Sequence, residues 1–341
     1  MSELRFAILG TGFWARYQLA GWRELPGVRC VALYNRTRAR AETLARTFDV
    51  PAIYEDAEAM LVREKPDFVD VITDVGTHRQ FVEMAAAHKI PVICQKPMAP
   101  TLNDAEAMTA ACRKTGVPFL VNENWRWQTP IRELKRILDS GKIGKVFRAR
   151  IDYCNSFPVF ENQPALKLEE RFILADMGSH IFDVTRFLFG EATWICCQTH
   201  RVHREIKGED VATAMLQMRN GAAVVCNLSY ASRTEIEKFP QTYVTVEGTE
   251  GTAELGPDYW IRVTTREGTT ARQSPPPTYS WADPRYAVVH SSIVDCQRNL
   301  LDGLRNPGQA ETTGEDNLKT IQLVTAAYQS ATTRTVFRLG S

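Results

Sequence analysis

The stretch that decides the fold is residues 4–15, which read LRFAILGTGFWA. Its first half is a mostly apolar run typical of a buried strand, and a Gly-x-Gly-x-x-Ala pattern follows at once. The glycines permit a tight turn and let the main chain approach a pyrophosphate, and the N–H groups of the helix that begins there face that anion. The stretch therefore predicts a strand, a turn and a helix that bind a dinucleotide. The residues expected to contact it here are Gly10, Gly12, Phe13 and Trp14.

Working outward, the first part of the chain alternates short apolar runs with segments of helical composition. The runs are 6–9, 28–33, 68–72, 91–94 and 118–121, and the helical segments are 13–25, 37–48, 77–88 and 101–115. Strands that alternate with helices of this length indicate right-handed crossovers and a parallel sheet. The sequence predicts an α/β, doubly wound Rossmann domain over residues 1–121.

The pattern changes after residue 121, where strand-like runs follow one another with turns between them. The predicted strands are 145–153, 193–202, 211–218, 222–229 and 242–247, and the predicted helices are 130–140, 176–189, 286–305 and 314–331. This order indicates an α+β domain over 122–341 with a large, mostly antiparallel open sheet. Residues 266–285, which are rich in proline and poor in apolar residues, are predicted to form a surface loop.

The charge balance limits the possible partners. The 341 residues carry 41 Lys and Arg against 40 Asp and Glu, a formal net charge of +1. Without an excess of positive charge, the chain is not expected to bind nucleic acid or an anionic membrane surface. No apolar stretch is long enough to span a bilayer. We expect a small-molecule partner and a cytoplasmic location.

The eight cysteines are scattered and do not form paired metal-binding motifs. One local cluster, Cys196-Cys197 with His200 and His203, gathers side chains that can bind zinc. Adjacent residues of a strand point to opposite faces, so the two thiols cannot both reach one tetrahedral ion without distortion. We therefore predict no metal site and no disulfide, and thiols that behave as small apolar side chains.

The residue that ends the second predicted strand normally sets the choice between NAD and NADP, because an acidic side chain there binds the ribose hydroxyls and repels a 2′-phosphate. This position holds Asn35, and Arg36 follows. An amide does not repel phosphate and a guanidinium can pair with it, which favours NADP. Alternatively, Arg36 stacks on the adenine while Arg38 and Arg40 are solvated on an exposed helix. The residues alone leave both interpretations open.

Four further segments resemble the Gfo/Idh/MocA family of oxidoreductases. In that family the fifth strand ends in Glu-Lys-Pro, and this chain has QKP at 95–97. The other segments are 72–78, 122–127 (NENWRW) and 176–180 (DMGSH). The resemblance covers nearly the whole length and implies an oxidoreductase that uses a nicotinamide dinucleotide. Gln95 departs from the family pattern, because an amide replaces the carboxylate near the cofactor.

Within the family, residues 95–100 (QKPMAP) together with 122–126 resemble the D-apiose dehydrogenases, which oxidise a cyclic hemiacetal to a lactone. Those enzymes use NAD, so the resemblance favours NAD as cofactor, with NADP as the alternative suggested by Asn35. The further residues expected to contact the dinucleotide are Asn35, Arg36, Thr73, His78, Gln95, Lys96 and Asn124.

The resemblance assigns the chemistry to Lys96, Asp176 and His180. Lys96 lies at the carboxyl end of a predicted parallel strand, where it can donate a hydrogen bond to the reacting oxygen. Asp176 and His180 are four residues apart on a predicted helix, so both project from one face. We expect His180 to remove the hydroxyl proton while Asp176 orients the substrate, although the same spacing also fits a helix contact without catalytic meaning. The predicted substrate contacts are Lys96, Arg126, Gln163, Asp176 and His180.

The predicted reaction is thus the oxidation of a sugar or polyol by hydride transfer to nicotinamide. The alternatives are an inositol-type or keto-sugar oxidoreductase, an NAD-dependent glycosidase, and a non-catalytic dinucleotide sensor. A sensor would be expected to lack Lys96 or His180, and both are present. The open sheet of the second domain also predicts face-to-face association into a homo-oligomer, a dimer or a tetramer.

Overall fold

The computed structural model describes residues 3–340, and the contacts within the chain divide it into two units. The first unit holds the chain up to residue 124 together with 280–282 and 293–321; the second holds 125–279, 283–292 and the chain from 322 onward. The predicted boundary at 121 lies near the first break. Residues 293–321 differ from that prediction, because Leu318 and Ile321 pack in the core of the first unit and Gln297 donates to the Gln18 carbonyl at 2.9 Å.

The first unit contains the predicted parallel sheet. Its strands are β1 (Leu4–Leu9), β2 (Val28–Tyr34), β3 (Ala52–Tyr54), β4 (Phe68–Val71), β5 (Val92–Gln95) and β6 (Phe119–Asn122). Its helices up to residue 124 are α1 (Phe13–Arg23), α2 (Arg38–Phe48), α3 (Ala57–Glu64), α4 (His78–Ala87) and α5 (Leu102–Thr115). The strand order is β3-β2-β1-β4-β5-β6. The order reverses between β1 and β4, which is where a doubly wound sheet opens a crevice for a ligand.

The apolar pattern does not predict β3 and α3. β3 has three half-buried residues, which is too short to show an alternation. α3 has eight residues and begins at Asp56, whose side chain accepts a hydrogen bond from the Ala59 N–H at 3.0 Å. β3 forms one edge of the sheet, and α3 packs on β2 and β3, away from the crevice between β1 and β4.

The second unit is built on a mixed sheet, mostly antiparallel as predicted. Its strands are β7 (Val146–Cys154), β8 (Ala192–His200), β9 (Val211–Met218), β10 (Ala223–Ser229), β11 (Tyr243–Gly248), β12 (Gly251–Leu255), β13 (Trp260–Thr265), β14 (Gly268–Gln273) and β15 (Phe337–Arg338). The order is β14-β13-β12-β11-β7-β10-β9-β8-β15, and β7 and β10 pair in parallel. The predicted loop over 266–285 is wrong for 268–273, because this exposed edge strand has no apolar alternation to identify it.

The remaining helices are α6 (Thr129–Asp139), α7 (Val159–Asn162), α8 (Ile173–Phe189), α9 (Ala287–Arg305) and α10 (Gly314–Thr333). α8 is buried over most of its surface and packs on β7, β9 and β10 of the second unit. α9 and α10 each contribute residues to both units. Across residues 3–340, no helix combines the length and the apolar character needed to cross a bilayer.

Candidate active site

The glycine turn lies where β1 ends, and its geometry requires Gly10. Gly10 has a φ of +102°, a conformation that side-chain-bearing residues rarely adopt, and an added Cβ would lie 2.7 Å from the Ile72 carbonyl oxygen. Its N–H donates to the Tyr34 carbonyl at 2.9 Å. A Cβ added at Gly12 would meet nothing within 4 Å. The turn is therefore closely packed on its inner side and open at Gly12.

The start of α1 fits an anionic group. Gly12 is the N-cap and has no side chain, and the fully described first turn holds no acidic residue. The first N–H groups of a helix lack intrahelical partners and carry partial positive charge, so they favour a phosphate. Phe13 is 55% exposed, and its ring meets that of Trp14 edge to face at 5.2 Å. This cradle of main-chain N–H groups and small residues fits the pyrophosphate of a dinucleotide.

Asn35 is joined to the glycine turn. Its side-chain oxygen accepts a long hydrogen bond from the Thr11 N–H at 3.4 Å, and its amide nitrogen donates to the Thr37 carbonyl at 2.9 Å. Arg36 is exposed, while Arg38 pairs with Glu42 one helical turn later at 2.9 Å. Arg38 therefore lies on an exposed helix surface, as the alternative interpretation of this segment predicts. The expected contacts of Asn35 and Arg36 with the dinucleotide stay predictions.

Thr73 and His78 lie beyond β4, on the other side of the crevice. The Thr73 methyl group would lie 2.8 Å from a Cβ at Gly10, so Thr73 packs against the glycine turn. Both ring nitrogens of the buried His78 face carbonyl oxygens, of Met98 at 3.2 Å and of Thr73 at 3.0 Å. Burial lowers the pKa of His78, although these carbonyls raise it in part. The predicted contact of His78 with the cofactor stays a prediction, and the occupied ring nitrogens argue against it.

β5 ends in Gln95, and Lys96 follows it. The Gln95 side-chain oxygen accepts from the Lys96 N–H at 2.9 Å, while its buried Nε2 has no hydrogen-bond partner among the described residues. An unpaired buried donor costs free energy unless a ligand supplies an acceptor, so this atom suits a polar group of the cofactor. Lys96 is half-buried and the Lys96–Pro97 peptide bond is cis. Asn124, after β6, is also buried.

The second unit places Asp176 and His180 on α8, one turn apart. Asp176 lies in the first turn and is half-buried, whereas His180 is 3% exposed. The Trp125 ring stacks on the His180 ring with centroids 4.2 Å apart, and the Trp125 indole N–H donates to the Thr242 hydroxyl at 3.1 Å. Trp125 therefore fixes the plane of the imidazole.

Arg126 has a partner that the sequence did not indicate. Its guanidinium donates to the two carboxylate oxygens of Asp183 at 2.7 and 2.5 Å, and both side chains are buried. A bidentate pair of this kind uses the planar guanidinium of Arg126, which we expected to contact the substrate. The expected substrate contact of Arg126 stays a prediction, and the ion pair is an argument against it.

The sequence patterns did not identify two buried tyrosines that lie near Asp176. The Tyr153 and Tyr230 rings meet edge to face with centroids 5.9 Å apart, and their hydroxyl groups share a hydrogen bond. Burial raises the pKa of both hydroxyls, and the Asp176 carboxylate raises it further. Asp176 therefore lies near two neutral phenols. They stand at the ends of β7 and β10, whose parallel pairing no local sequence signal indicates.

Gln163 lies in the segment before α8, where it ends α7 and is half-buried. Its predicted contact with the substrate stays a prediction. In the cysteine cluster, Cys197 is buried and Cys196 is half-buried on the next residue of β8. No group of three or more His, Cys, Asp or Glu side chains within residues 3–340 is arranged to hold a metal ion.

The structure thus groups the predicted residues by unit. Within the first unit, Gly10, Asn35 and Thr73 meet around the glycine turn, and Gln95 and Lys96 lie at the carboxyl end of β5. Within the second unit, α8 carries Asp176 and His180. The second unit also holds the predicted substrate residues Arg126 and Gln163.

Two family models match the chain. The model of the GFO/IDH/MocA oxidoreductase family, described as an NAD-binding Rossmann fold, matches residues 4–123. The model of the GFO/IDH/MocA C-terminal domain matches residues 131–254.

The chain is also similar to several known proteins over almost its full length. A D-apiose dehydrogenase of Paraburkholderia graminis is 45% identical over 331 residues, which are 97% of this chain and 88% of that protein. A D-apiose dehydrogenase of Rhizobium rhizogenes is 42% identical, with coverages of 97% and 96%. An oxidoreductase from Agrobacterium radiobacter, solved with NAD+, L-tartaric acid and magnesium, matches with a TM-score of 0.97 at 41% identity, covering 99% of this chain and 98% of that one.

Proposed function

Because the chain belongs to the Gfo/Idh/MocA oxidoreductase family and has an NAD-binding Rossmann domain, we propose that it oxidises D-apiose to its lactone with NAD as the oxidant. The observation that carries this proposal is the similarity, over nearly the whole chain, to two D-apiose dehydrogenases. The open start of α1 and the unpaired Gln95 Nε2 support the use of a dinucleotide, because both offer N–H donors to a ligand.

NAD, when bound, supplies a nicotinamide C4 that accepts a hydride. In the proposal its pyrophosphate is held by the main-chain N–H groups at the start of α1, and Gln95 offers its free amide donor. We choose NAD over NADP because the oxidoreductase from Agrobacterium radiobacter, 41% identical, was solved with NAD+. Arg38, two residues after Arg36, is also already paired with Glu42.

We propose that side chains of the protein transfer the proton and stabilise the charge that develops. In the proposal the His180 imidazole takes the proton of the anomeric hydroxyl as the hydride leaves the same carbon, so the C–O single bond becomes the carbonyl of the lactone. Lys96 donates a hydrogen bond to that oxygen while negative charge develops on it. Asp176 orients the substrate and stabilises the imidazolium that forms. The stacked Trp125 ring holds the imidazole in one plane for this transfer.

The test is a rate measurement with a panel of substrates. The purified chain is incubated with NAD or NADP and with D-apiose, other pentoses or inositols, and the absorbance of the reduced cofactor is followed. D-apiose with NAD is expected to give the highest kcat/KM. No reduction of either cofactor across the panel, with NAD binding verified by titration, would reject the proposal. Release of free sugar from a glycoside without net reduction would instead indicate a glycosidase.

We also propose that the chain works as a homo-oligomer in the cytoplasm. Met215 pairs with both Cys196 and Val225 across neighbouring strands, and these partly exposed side chains form an apolar strip on the open sheet face. A second copy of the chain would cover such a strip. The eight cysteines are free thiols, as is usual in a reducing compartment. The mass in solution from light scattering tests the oligomer, and a monomer would contradict it.

A further inference from the structure

The start of α8, the helix that carries Asp176 and His180, is capped from a distant loop. Its N-cap is Phe172, whose side chain cannot accept a hydrogen bond, so the first N–H groups need partners from outside the helix. The Glu209 carboxylate accepts from the Phe172 N–H at 3.3 Å and from the Leu174 N–H at 3.1 Å. The Glu209 main-chain carbonyl accepts from Ile173 at 3.1 Å.

Tyr328 of α10 completes the cap. Its hydroxyl oxygen accepts from the Ala175 N–H at 3.1 Å and its proton is donated to Glu209 at 2.7 Å. Burial raises the pKa of the Tyr328 hydroxyl far above its usual value, and Glu209 raises it further, so the hydroxyl keeps the proton that it donates. The Arg171 guanidinium lies over the Tyr328 ring at 4.8 Å. Two residues therefore satisfy all four N–H groups that an α-helix leaves unpaired at its start.

The loop between β8 and β9 is packed tightly against the chain that enters α8. The Lys207 N–H donates to the Lys167 carbonyl at 3.0 Å. A Cβ added at Gly208 would lie 2.9 Å from the Glu169 carbonyl oxygen and 3.0 Å from the Phe172 Cβ. Glu209 is consequently held at a fixed distance from the helix start. The cap is a rigid tertiary contact within the second unit and not an exposed polar group that happens to be near.

We propose that Glu209 and Tyr328 are positioning residues for Asp176 and His180. Asp176 is the first residue whose N–H bonds inside the helix, to the Phe172 carbonyl at 2.9 Å, and His180 follows one turn later. Because α8 has no local cap, the distant pair determines where the helix starts and so where these two side chains point. This inference rests on the proposed function, in which Asp176 and His180 act on the substrate.

The decisive variant is Tyr328→Phe, which keeps the ring beneath Arg171 and removes the hydroxyl. Tyr243→Phe is the matched control, since it removes a hydroxyl of the same unit that donates to the Ile236 carbonyl at 2.8 Å. With D-apiose and NAD, kcat of Tyr328→Phe is expected to fall at least about tenfold, because small displacements of reacting groups cost large factors in rate. The NAD dissociation constant is expected to stay unchanged. An unchanged kcat in this variant would overturn the proposal.

Glu209 provides a graded second test. Glu209→Gln keeps one acceptor oxygen and the main-chain carbonyl, whereas Glu209→Ala keeps the carbonyl alone. The expected order of kcat is wild type, then Glu209→Gln, then Glu209→Ala, with equal NAD affinity throughout. Recovery by the conservative glutamine separates lost positioning from general unfolding. Equal losses in both Glu209 variants, with lowered NAD affinity, would indicate unfolding and would overturn the positioning role.

Hydrogen exchange gives a readout that does not depend on turnover. In Tyr328→Phe, the amides of 172–176 are expected to exchange about tenfold faster, because Ala175 loses its acceptor and Glu209 loses the hydrogen bond from Tyr328, while those of 182–189 keep their protection. Unchanged protection at 172–176 would overturn the proposal even if D-apiose is the substrate. Faster exchange in that variant, together with a wild-type chain that binds NAD but does not oxidise D-apiose, would reject the proposed function and still support the positioning of Asp176.

Discussion

α1 begins beside residues predicted to bind the cofactor, and α8 carries residues predicted to act on the substrate. The two helices differ in whether the N–H groups of their first turns have hydrogen-bond partners. At α1 the N-cap is a glycine and the first turn contains no acid, so its N–H groups face an open cradle. At α8, Glu209 and Tyr328 occupy every N–H group of the first turn. An open helix start suits an anionic ligand, whereas a filled one cannot bind an anion and instead fixes the side chains that the helix carries.

The two helices also differ in which part of the helix is held by hydrogen bonds. α1 is held at its far end, where the Trp22 indole N–H donates to the buried Asp70 at 2.8 Å. Halfway along α1, the Gln18 side-chain oxygen accepts from Asn122 at 2.6 Å and from Gln297 at 2.8 Å. α8 is held at its first turn. α1 is therefore held away from its open start, whereas α8 is held at the turn that carries Asp176.

The largest expected effect comes from removing the imidazole that α8 carries. His180→Ala is expected to lower kcat by about 10² to 10⁴-fold, the usual contribution of a general base, and to leave NAD affinity unchanged. His180→Gln is the companion variant, because it refills part of the space against Trp125 and still lacks a base. Steady-state rates and an NAD titration check this. Wild-type rates in both variants would remove His180 from the mechanism.

The next effect concerns Asp70, which anchors α1 through Trp22, and the pH dependence of its contribution to stability. Burial raises the pKa of Asp70 to about 7, although the Trp22 hydrogen bond lowers it in part. The folded chain therefore binds this proton more tightly than the unfolded chain, whose aspartate has a pKa of about 4. The contribution of Asp70 to the free energy of unfolding should fall as the pH rises from about 4 through about 7 and stay low above that range.

Asp70→Asn keeps an oxygen acceptor for Trp22 and cannot ionise. At about pH 8 it is expected to be more stable than the wild type by on the order of 4 kcal/mol, at about 1.4 kcal/mol per unit of pKa shift. At about pH 4 the two should be similar. Urea unfolding at several pH values measures this. Parallel stability curves for the two proteins across the same range would show that Asp70 does not change its charge on unfolding.

A smaller effect is expected when the open start of α1 is closed in the manner of α8. Gly12→Asp places a carboxylate at the N-cap, and its Cβ meets open space, so the fold should tolerate it. The thermal midpoint should rise slightly, while NAD affinity should fall by about tenfold or more because the carboxylate caps the N–H groups and repels the pyrophosphate. Calorimetric titration checks the affinity. Undiminished NAD binding would show that the pyrophosphate lies elsewhere.

The smallest effect is expected at the end of β2. In Asn35→Asp, one carboxylate oxygen can still accept from the Thr11 N–H, and the added charge repels a 2′-phosphate. The ratio of kcat/KM for NAD to that for NADP should rise several-fold, mainly through a loss of NADP activity. A ratio equal to that of the wild type would place the ribose away from residue 35.

The difference between the two helix starts also explains what could be predicted from the sequence. The turn at Gly10 is a local motif, so adjacent residues are enough to predict β1, the turn and α1. The periodicity of longer segments likewise predicted most helices and, apart from β3, the strands up to residue 247. β14 was missed because an exposed edge strand carries no apolar alternation.

Contacts between distant parts of the chain could not be predicted. Glu209 and Tyr328 reach the start of α8 from a loop and from another helix, and Tyr153 meets Tyr230 only because β7 and β10 pair in parallel. The ion pair of Arg126 could not be predicted either, because the family motif that contains this residue does not indicate its buried partner Asp183. The residues predicted to touch a ligand follow local patterns, whereas the residues that hold them in place depend on the tertiary fold.

The most direct measurement is the stoichiometry of the reaction, in which NADH formed and D-apiose consumed are quantified together as the reaction proceeds to completion. The proposed net oxidation, in which NAD takes the hydride and His180 takes the proton, predicts one NADH for each D-apiose consumed and the lactone or its hydrolysed acid as product. Consumption of D-apiose without NADH, or no consumption at all by a chain that binds NAD, would contradict the assignment of this chain as a D-apiose dehydrogenase.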